Sequence, residues 1–175
     1  MSDKDQVYAA LDEWSIPYER YCHEAVWHMR DCVENAAPAG AVMCKNYFLT
    51  TKSRRVYCLC IARPNARLRT ADISKQAGTP RLSFADEAAM AQILRVYPGA
   101  VSPMGLIFDA ERRVRLLADA ALSSCESLAF HPCDNTETVV LSAKDFFQRF
   151  VPATGREAEL VEVHDFEEGW GDPFF

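Results

Sequence analysis

No stretch of the 175-residue chain approaches the roughly 20 consecutive apolar residues that a membrane-spanning helix needs, so membrane spans are not expected. The opening MSDKDQVYAA carries charge where a secretory signal would carry an apolar segment, and a cytoplasmic protein is the expectation. Metal-ligand spacings are also missing. His23 and His28 stand five apart instead of the four that align ligands on a helix, and Cys58 and Cys60 have no second cysteine pair at ligand spacing. Neither a metal nor another cofactor is expected. The seven cysteines are odd in number and scattered, which argues for reduced thiols packed as small apolar side chains rather than for a disulfide framework. No internal repeat or low-complexity tract points to a solenoid or a disordered array.

What the chain has is enough apolar content, 49%, to build one real core at a length typical of a single domain. Its formal net charge of −6 is unevenly spread. Residues 151–175 hold seven acids against Arg156, whereas Lys45 to Arg81 holds nine Lys or Arg against Asp72 alone, a local net of +8. Such a band is able to meet phosphate, with Arg54, Arg55, Arg67 and Arg69 as the candidates; equally, Arg54 and Arg55 read as hairpin-turn residues.

Periodicity predicts a helix over 3–14 and a strand in IPYERYCH. A second helix follows in AVWHMRDCVEN, and a hairpin in which CKNYFLTT and VYCLCIAR flank the turn at 52–55. Short helices are expected from Thr70 to Gln76, stopping at Gly78, and from Asp86 to Val96. GLIFD, VRLLAD, SLAF and ETVVLS read as strands, and Ser142 opens a helix that turns Phe146, Phe147 and Phe150 inward. LVEVHDF is a candidate extra strand. The class is α+β. In the first hairpin strand, alternation places Lys45 with Tyr47 and Leu49 on one face and Asn46 with Phe48 and Thr50 on the other, so on residue statistics Lys45 reads as a snorkelling lysine.

Four segments in order, CKNYFL, RLSFAD, PGAVSPMGLIFD and FHPCDNTETVVLS, resemble the YbaK/prolyl-tRNA editing family, and within it the freestanding deacylases that clear alanine mischarged onto proline tRNA. The likeness runs from about Ala9 to Phe150. It implies a mixed, largely antiparallel, partly barrel-like sheet with flanking helices. An editing domain would occupy residues 1–151, and 152–175 would form an acidic C-terminal extension. By the same resemblance, Lys45 positions the substrate through its terminal adenosine or phosphate, with Asn46 beside it. The loop from Gly99 through Ser102 to Pro103 anchors the carbonyl or developing oxyanion, and His131 lies near the tRNA terminus. Trp27 and Met29 are placed by segment position as walls of the amino-acid pocket. Singly, Gly99 reads as a turn residue and His131 as a core histidine.

The activity so implied is hydrolysis of mischarged Ala-tRNA(Pro), with tRNA as partner and prolyl-tRNA synthetase as a further one. No Ser/His/Asp or Cys/His arrangement is placed by these motifs, so the substrate's own ribose hydroxyl is the expected helper of the attacking water. Rival readings are a deacylase for esters of cysteine or 2-aminobutyrate, a tRNA-binding module without catalysis, and a cysteine-dependent hydrolase built on Cys44 or Cys133.

Overall fold

A computed structural model describes residues 1–165 apart from 34–37 and 39. Ser2 opens the first helix through a capping box. Its hydroxyl accepts from the Asp5 amide while the Asp5 carboxylate takes the Ser2 amide, and α1 (Asp3–Glu13) then buries Val7, Tyr8 and Leu11. The second helix shows only α2 (Met29–Asp31), and residues 34–37 of the expected span lie outside the described residues. α3 (Thr70–Ala77) ends, as the sequence predicts, on a left-handed Gly78. Asp86 caps α4 (Glu87–Ala89), which continues as a π-turn through Leu94. Ser142 caps α5 (Ala143–Asp145), which runs on through a π-turn over Phe146–Phe150 into α6 (Val151–Ala153).

The strands form three sheets among the described residues. One is the four-stranded order β1 (Glu19–Cys22), β9 (Glu137–Ser142), β8 (Ser127–Phe130), β2 (Ala41–Met43), antiparallel except for β2 along β8. A second is the five-stranded order β10 (Ala158–Val161), β7 (Val114–Asp119), β4 (Tyr57–Ala62), β3 (Lys45–Thr51), β6 (Leu82–Phe84). There β3 pairs antiparallel with both neighbours, while β7 is parallel to β4 and β10. The last joins β5 (Ala66–Arg67) to β11 (His164–Asp165). The class is α+β with mixed sheets, as expected, and the sheets stay open rather than closing into a barrel.

The main core fills the space between the two large sheets: Phe48, Leu59 and Ile61 on one side meet Phe130, Val139 and Leu141 on the other, with Phe146 and Phe150 sealing one end. The opposite face of the five-stranded sheet packs Leu49, Cys58 and Cys60 against Ile73 of α3. β2 belongs to the first sheet and β3 to the second, so the chain crosses between them at Cys44, whose amide still bonds the Ala129 carbonyl at 3.3 Å. This crossing sets the position of the site.

GLIFD, expected as a strand, is helical. Pro103 lacks an amide hydrogen and sits at the start of a 3-10 helix (Pro103–Phe108), and the Ser102 hydroxyl accepts from the Met104 amide at 3.1 Å. Gly105 lets this helix lie against the preceding one, since a Cβ there would stand 2.5 Å from the Leu94 carbonyl oxygen. Part of the segment read as a C-terminal extension packs on the domain: β10 pairs with β7, and the buried Arg156 guanidinium bonds the Asp109 carboxylate and the Val114 carbonyl. The candidate strand LVEVHDF divides into the end of β10 and β11.

Candidate active site

A cavity of about 150 Å³ opens where β2 crosses to β3. Four separate stretches wall it: Trp27, His28, Met29 and Cys32; Met43, Cys44 and Asn46; Gly99 and Val101; and His131. Each is positioned by a local cause. Asn46 points here because it shares the face of β3 that includes Phe48, the face turned toward the main core. Its Nδ2 donates to the Cys44 carbonyl at 3.3 Å, which fixes the amide orientation because a carbonyl only accepts. The Asn46 Oδ1 is then buried with no hydrogen-bond partner among the described residues. A buried orphan acceptor costs about 1–3 kcal/mol, and such a cost persists where a ligand donor satisfies it.

His131 follows β8 and is almost fully buried. Its Nδ1 lies 2.8 Å from the Glu137 carbonyl oxygen and must donate to it, leaving Nε2 unprotonated and 3.5 Å from the Cys32 Sγ. Burial holds the imidazole pKa below its ordinary value, so the ring is neutral near pH 7. Behind it, the buried Glu137 carboxylate receives Tyr8 at 2.8 Å, Arg20 at 2.7 and 2.8 Å, and Lys4 at 2.9 Å. Burial alone would raise that carboxyl's pKa, but the hydrogen bonds from Arg20, Lys4 and Tyr8 prevail and hold it low. This knot holds the residue whose backbone carbonyl takes the His131 Nδ1 proton. Gly99 has φ +93°, and a Cβ there would sit 2.9 Å from Cε3 of Trp27, so only glycine lets the indole close on the turn.

The structure therefore brings Trp27, Met29, Asn46, Gly99 and His131 together. It places the other predicted residues elsewhere. Lys45 leaves β3 on the opposite face, buried, with its ammonium donating to the Ala66 carbonyl at 3.3 Å. Ser102 and Pro103 are buried in the start of the 3-10 helix, where the Ser102 hydroxyl is engaged as a cap. Arg54 and Arg55 sit in the β3–β4 turn, roughly 20 Å along the strand from Asn46, and Arg54 pairs with Asp86 at 3.0 Å. Arg67 is in β5 and Arg69 precedes α3, both at the Lys45 end of the sheet. Cys32, Met43 and Cys44 were not predicted as lining residues, although strand alternation already puts Cys44 on the Asn46 side.

Cys44 and Cys133, the thiols considered as nucleophiles, are buried, and burial drives both pKa values well up. Cys32 is pushed up to about 11 by burial. None of the three is a thiolate near neutral pH.

The family model for the aminoacyl-tRNA editing domain matches residues 23–148. The chain belongs to the aminoacyl-tRNA editing domain family. The matched span includes every residue that walls the cavity. The chain is 31% identical over 163 residues to the prolyl-tRNA editing protein ProX of Acetoanaerobium sticklandii, a match covering 93% of this chain and 99% of that protein. Another relative is the prolyl-tRNA synthetase associated domain-containing protein 1 of Danio rerio, 31% identical over 134 residues, covering 75% of this chain and 72% of that one. Among solved structures, one put forward as a trans-editing enzyme for prolyl tRNA synthetase superposes with TM-score 0.73 at 13% identity, covering 95% of this chain and 99% of that one, a likeness of fold. The prolyl-tRNA editing resemblance carried by the four sequence segments is thereby borne out, and the chain is an editing enzyme that hydrolyses mischarged aminoacyl-tRNA.

Proposed function

We propose that this editing domain removes alanine from Ala-tRNA(Pro) in trans and spares Pro-tRNA(Pro). The observation that carries this reading is Asn46, which lines a cavity of about 150 Å³ and whose buried Oδ1 has no hydrogen-bond partner among the described residues. The α-ammonium of an aminoacyl ester is the donor it fits. Volume alone does not separate the two amino acids, because a cavity of about 150 Å³ accepts a ring as large as benzene in an apolar protein interior. The nitrogen anchor separates them. Alanine offers three N–H groups on a freely turning ammonium. Proline's nitrogen is locked in its ring, so in this reading anchoring it turns the ring carbons toward walls that include Met29 and Met43.

With the ammonium on Asn46, the ester carbonyl in this reading faces the Gly99 turn, which lines the same cavity. A water oxygen bonds to the carbonyl carbon, the ribose–acyl bond breaks, and the water's proton passes by way of the neighbouring ribose hydroxyl to the departing ribose oxygen. Burial makes His131 a weaker base than a free imidazole, its Nδ1 is held by the Glu137 carbonyl and its Nε2 faces the Cys32 Sγ, so in this reading it shapes the site rather than taking that proton. Lys45 adjoins Asn46 but leaves β3 on the opposite face, buried, with its ammonium on the Ala66 carbonyl of β5, and in this reading that ammonium turns from this bond to hold a phosphate of the tRNA end. tRNA is the partner, and prolyl-tRNA synthetase is the source of the mischarged substrate.

The test is deacylation of Ala-, Cys-, 2-aminobutyryl- and Pro-tRNA(Pro) by the wild type and by Met29→Ala. The wild type should turn over the alanine ester fastest and spare proline, and Met29→Ala should widen the range. Preference for Pro-tRNA(Pro), or binding without turnover of any ester, would overturn the reading.

A further inference from the structure

Trp27 is 60% exposed although it lines the cavity, an unusual state for an indole. It is held from behind. The Val26 amide bonds the Asn135 carbonyl at 3.2 Å and the Val26 carbonyl takes Asn135 Nδ2 at 3.0 Å, so the residue before the indole is tied in both directions to a buried asparagine. The same Asn135 is clasped by Tyr97, whose hydroxyl donates to Oδ1 at 3.0 Å and accepts from the amide at 3.1 Å. The Tyr97 ring backs Trp27 at 6.2 Å between centroids and an angle of 51°. Gly99 closes the other side, its backbone so near the indole that a Cβ would come within 2.9 Å. The result is a fixed aromatic surface at the cavity rim, open to solvent. Its chain neighbours Glu24, His28 and Arg30 are exposed and polar, and the partly exposed Tyr97 ring beside it extends the aromatic surface.

We propose that Trp27, buttressed by Tyr97, is the platform on which the 3′-terminal base of the tRNA stacks, its exposed face recognising nucleobase at the rim of the cavity it lines. The inference rests on the deacylase reading and adds to it where the base goes. In an aminoacyl-tRNA the amino acid and the terminal base hang from the same ribose. If the aminoacyl group occupies the cavity, the base must lie within one nucleotide of it, at the rim. A single immobile indole suits that partner, since any base has a π-face and stacking asks for no apolar surround. A protein partner would instead bury a contiguous patch around its aromatic anchor.

The experiment compares two RNA microhelices carrying the tRNA(Pro) acceptor sequence, uncharged, one ending in C-C-A and the other with an abasic terminal residue. Binding is followed by tryptophan fluorescence and by anisotropy of a 5′ label. The wild type should bind the C-C-A form about tenfold more tightly than the abasic form, with quenching of the indole. Trp27→Ala, shown folded by circular dichroism, should bind both alike, and Trp27→Phe should keep part of the preference while losing the quench. Equal wild-type affinity for the two RNAs, or an undiminished preference in Trp27→Ala, would overturn the proposal. Either result with normal Ala-tRNA(Pro) turnover leaves the deacylase reading standing, whereas failure of that reading appears as absent turnover by the wild type.

Discussion

Replacing Asn46 by valine should separate stability from function. Among the described residues the Asn46 side chain makes one hydrogen bond, Nδ2 to the Cys44 carbonyl at 3.3 Å, and buries an Oδ1 without a partner. Losing the bond costs about 0.5–1.5 kcal/mol, while removing the desolvated oxygen returns about 1–3 kcal/mol. Valine is β-branched, of similar size, and suited to a strand. The net therefore runs from a loss of about 0.5 kcal/mol to a gain of about 2.5 kcal/mol. In urea this appears as a midpoint shift of up to about 1 M, for a slope near 2 kcal/mol per molar. Turnover should move the other way. A hydrogen bond from a charged ammonium is worth about 1.5–3 kcal/mol, so kcat/KM for Ala-tRNA(Pro) should fall by roughly 10- to 150-fold. The assays are urea denaturation and single-turnover deacylation on the same preparation. Destabilisation beyond about 1.5 kcal/mol would show that Oδ1 is satisfied in solution, and wild-type turnover would show that the ammonium binds elsewhere; either refutes the reasoning.

Gly99→Ala should cost about 1–3 kcal/mol in thermal or urea unfolding from its φ of +93° alone, and should reduce turnover further by displacing Trp27; unaltered stability would contradict the turn geometry. Lys45→Ala should lower turnover by more than tenfold, about 1.4 kcal/mol of transition-state stabilisation, and a folded variant with wild-type rate would remove Lys45 from the site. Replacing Arg54, Arg55, Arg67 and Arg69 by alanine should flatten the salt dependence of tRNA binding, each lost phosphate contact lowering the logarithmic slope by roughly 0.7; an unchanged slope moves the tRNA surface elsewhere. The His131 pKa is lowered on folding, so the unfolded chain binds the proton more readily and the stability His131 contributes is full above about 6.5 and is lost as pH falls from there toward the folded value. His131→Gln should flatten denaturation midpoints across that window, and an equally steep decline in the variant would assign the effect to other groups.

The sequence by itself determined the hairpin of β3 and β4. Two β-rich runs around a polar turn carry their own pairing signal, and the Ser2, Asp86 and Ser142 caps are written locally in the same way. Family membership was equally legible, from motif order alone. The 3-10 helix at Pro103–Phe108 was not, because an apolar run does not reveal its period over so few residues, although Ser102 before Pro103 is a helix-opening signal. Alternation in β3 already said that Lys45 and Asn46 face opposite ways, and the structure gives that rule its consequence: Asn46 enters the cavity and Lys45 goes to Ala66. What only the tertiary structure decided is the gathering of Trp27, Cys32, Met43, Asn46, Gly99 and His131 around one cavity. These residues are brought together by the crossing of β2 into β3 between two sheets, and the pairings that build those sheets join segments as far apart as Glu19 and Val140. Local propensity has no access to contacts of that sequence separation, because they are fixed by which apolar faces bury one another and not by any residue's neighbours in the chain.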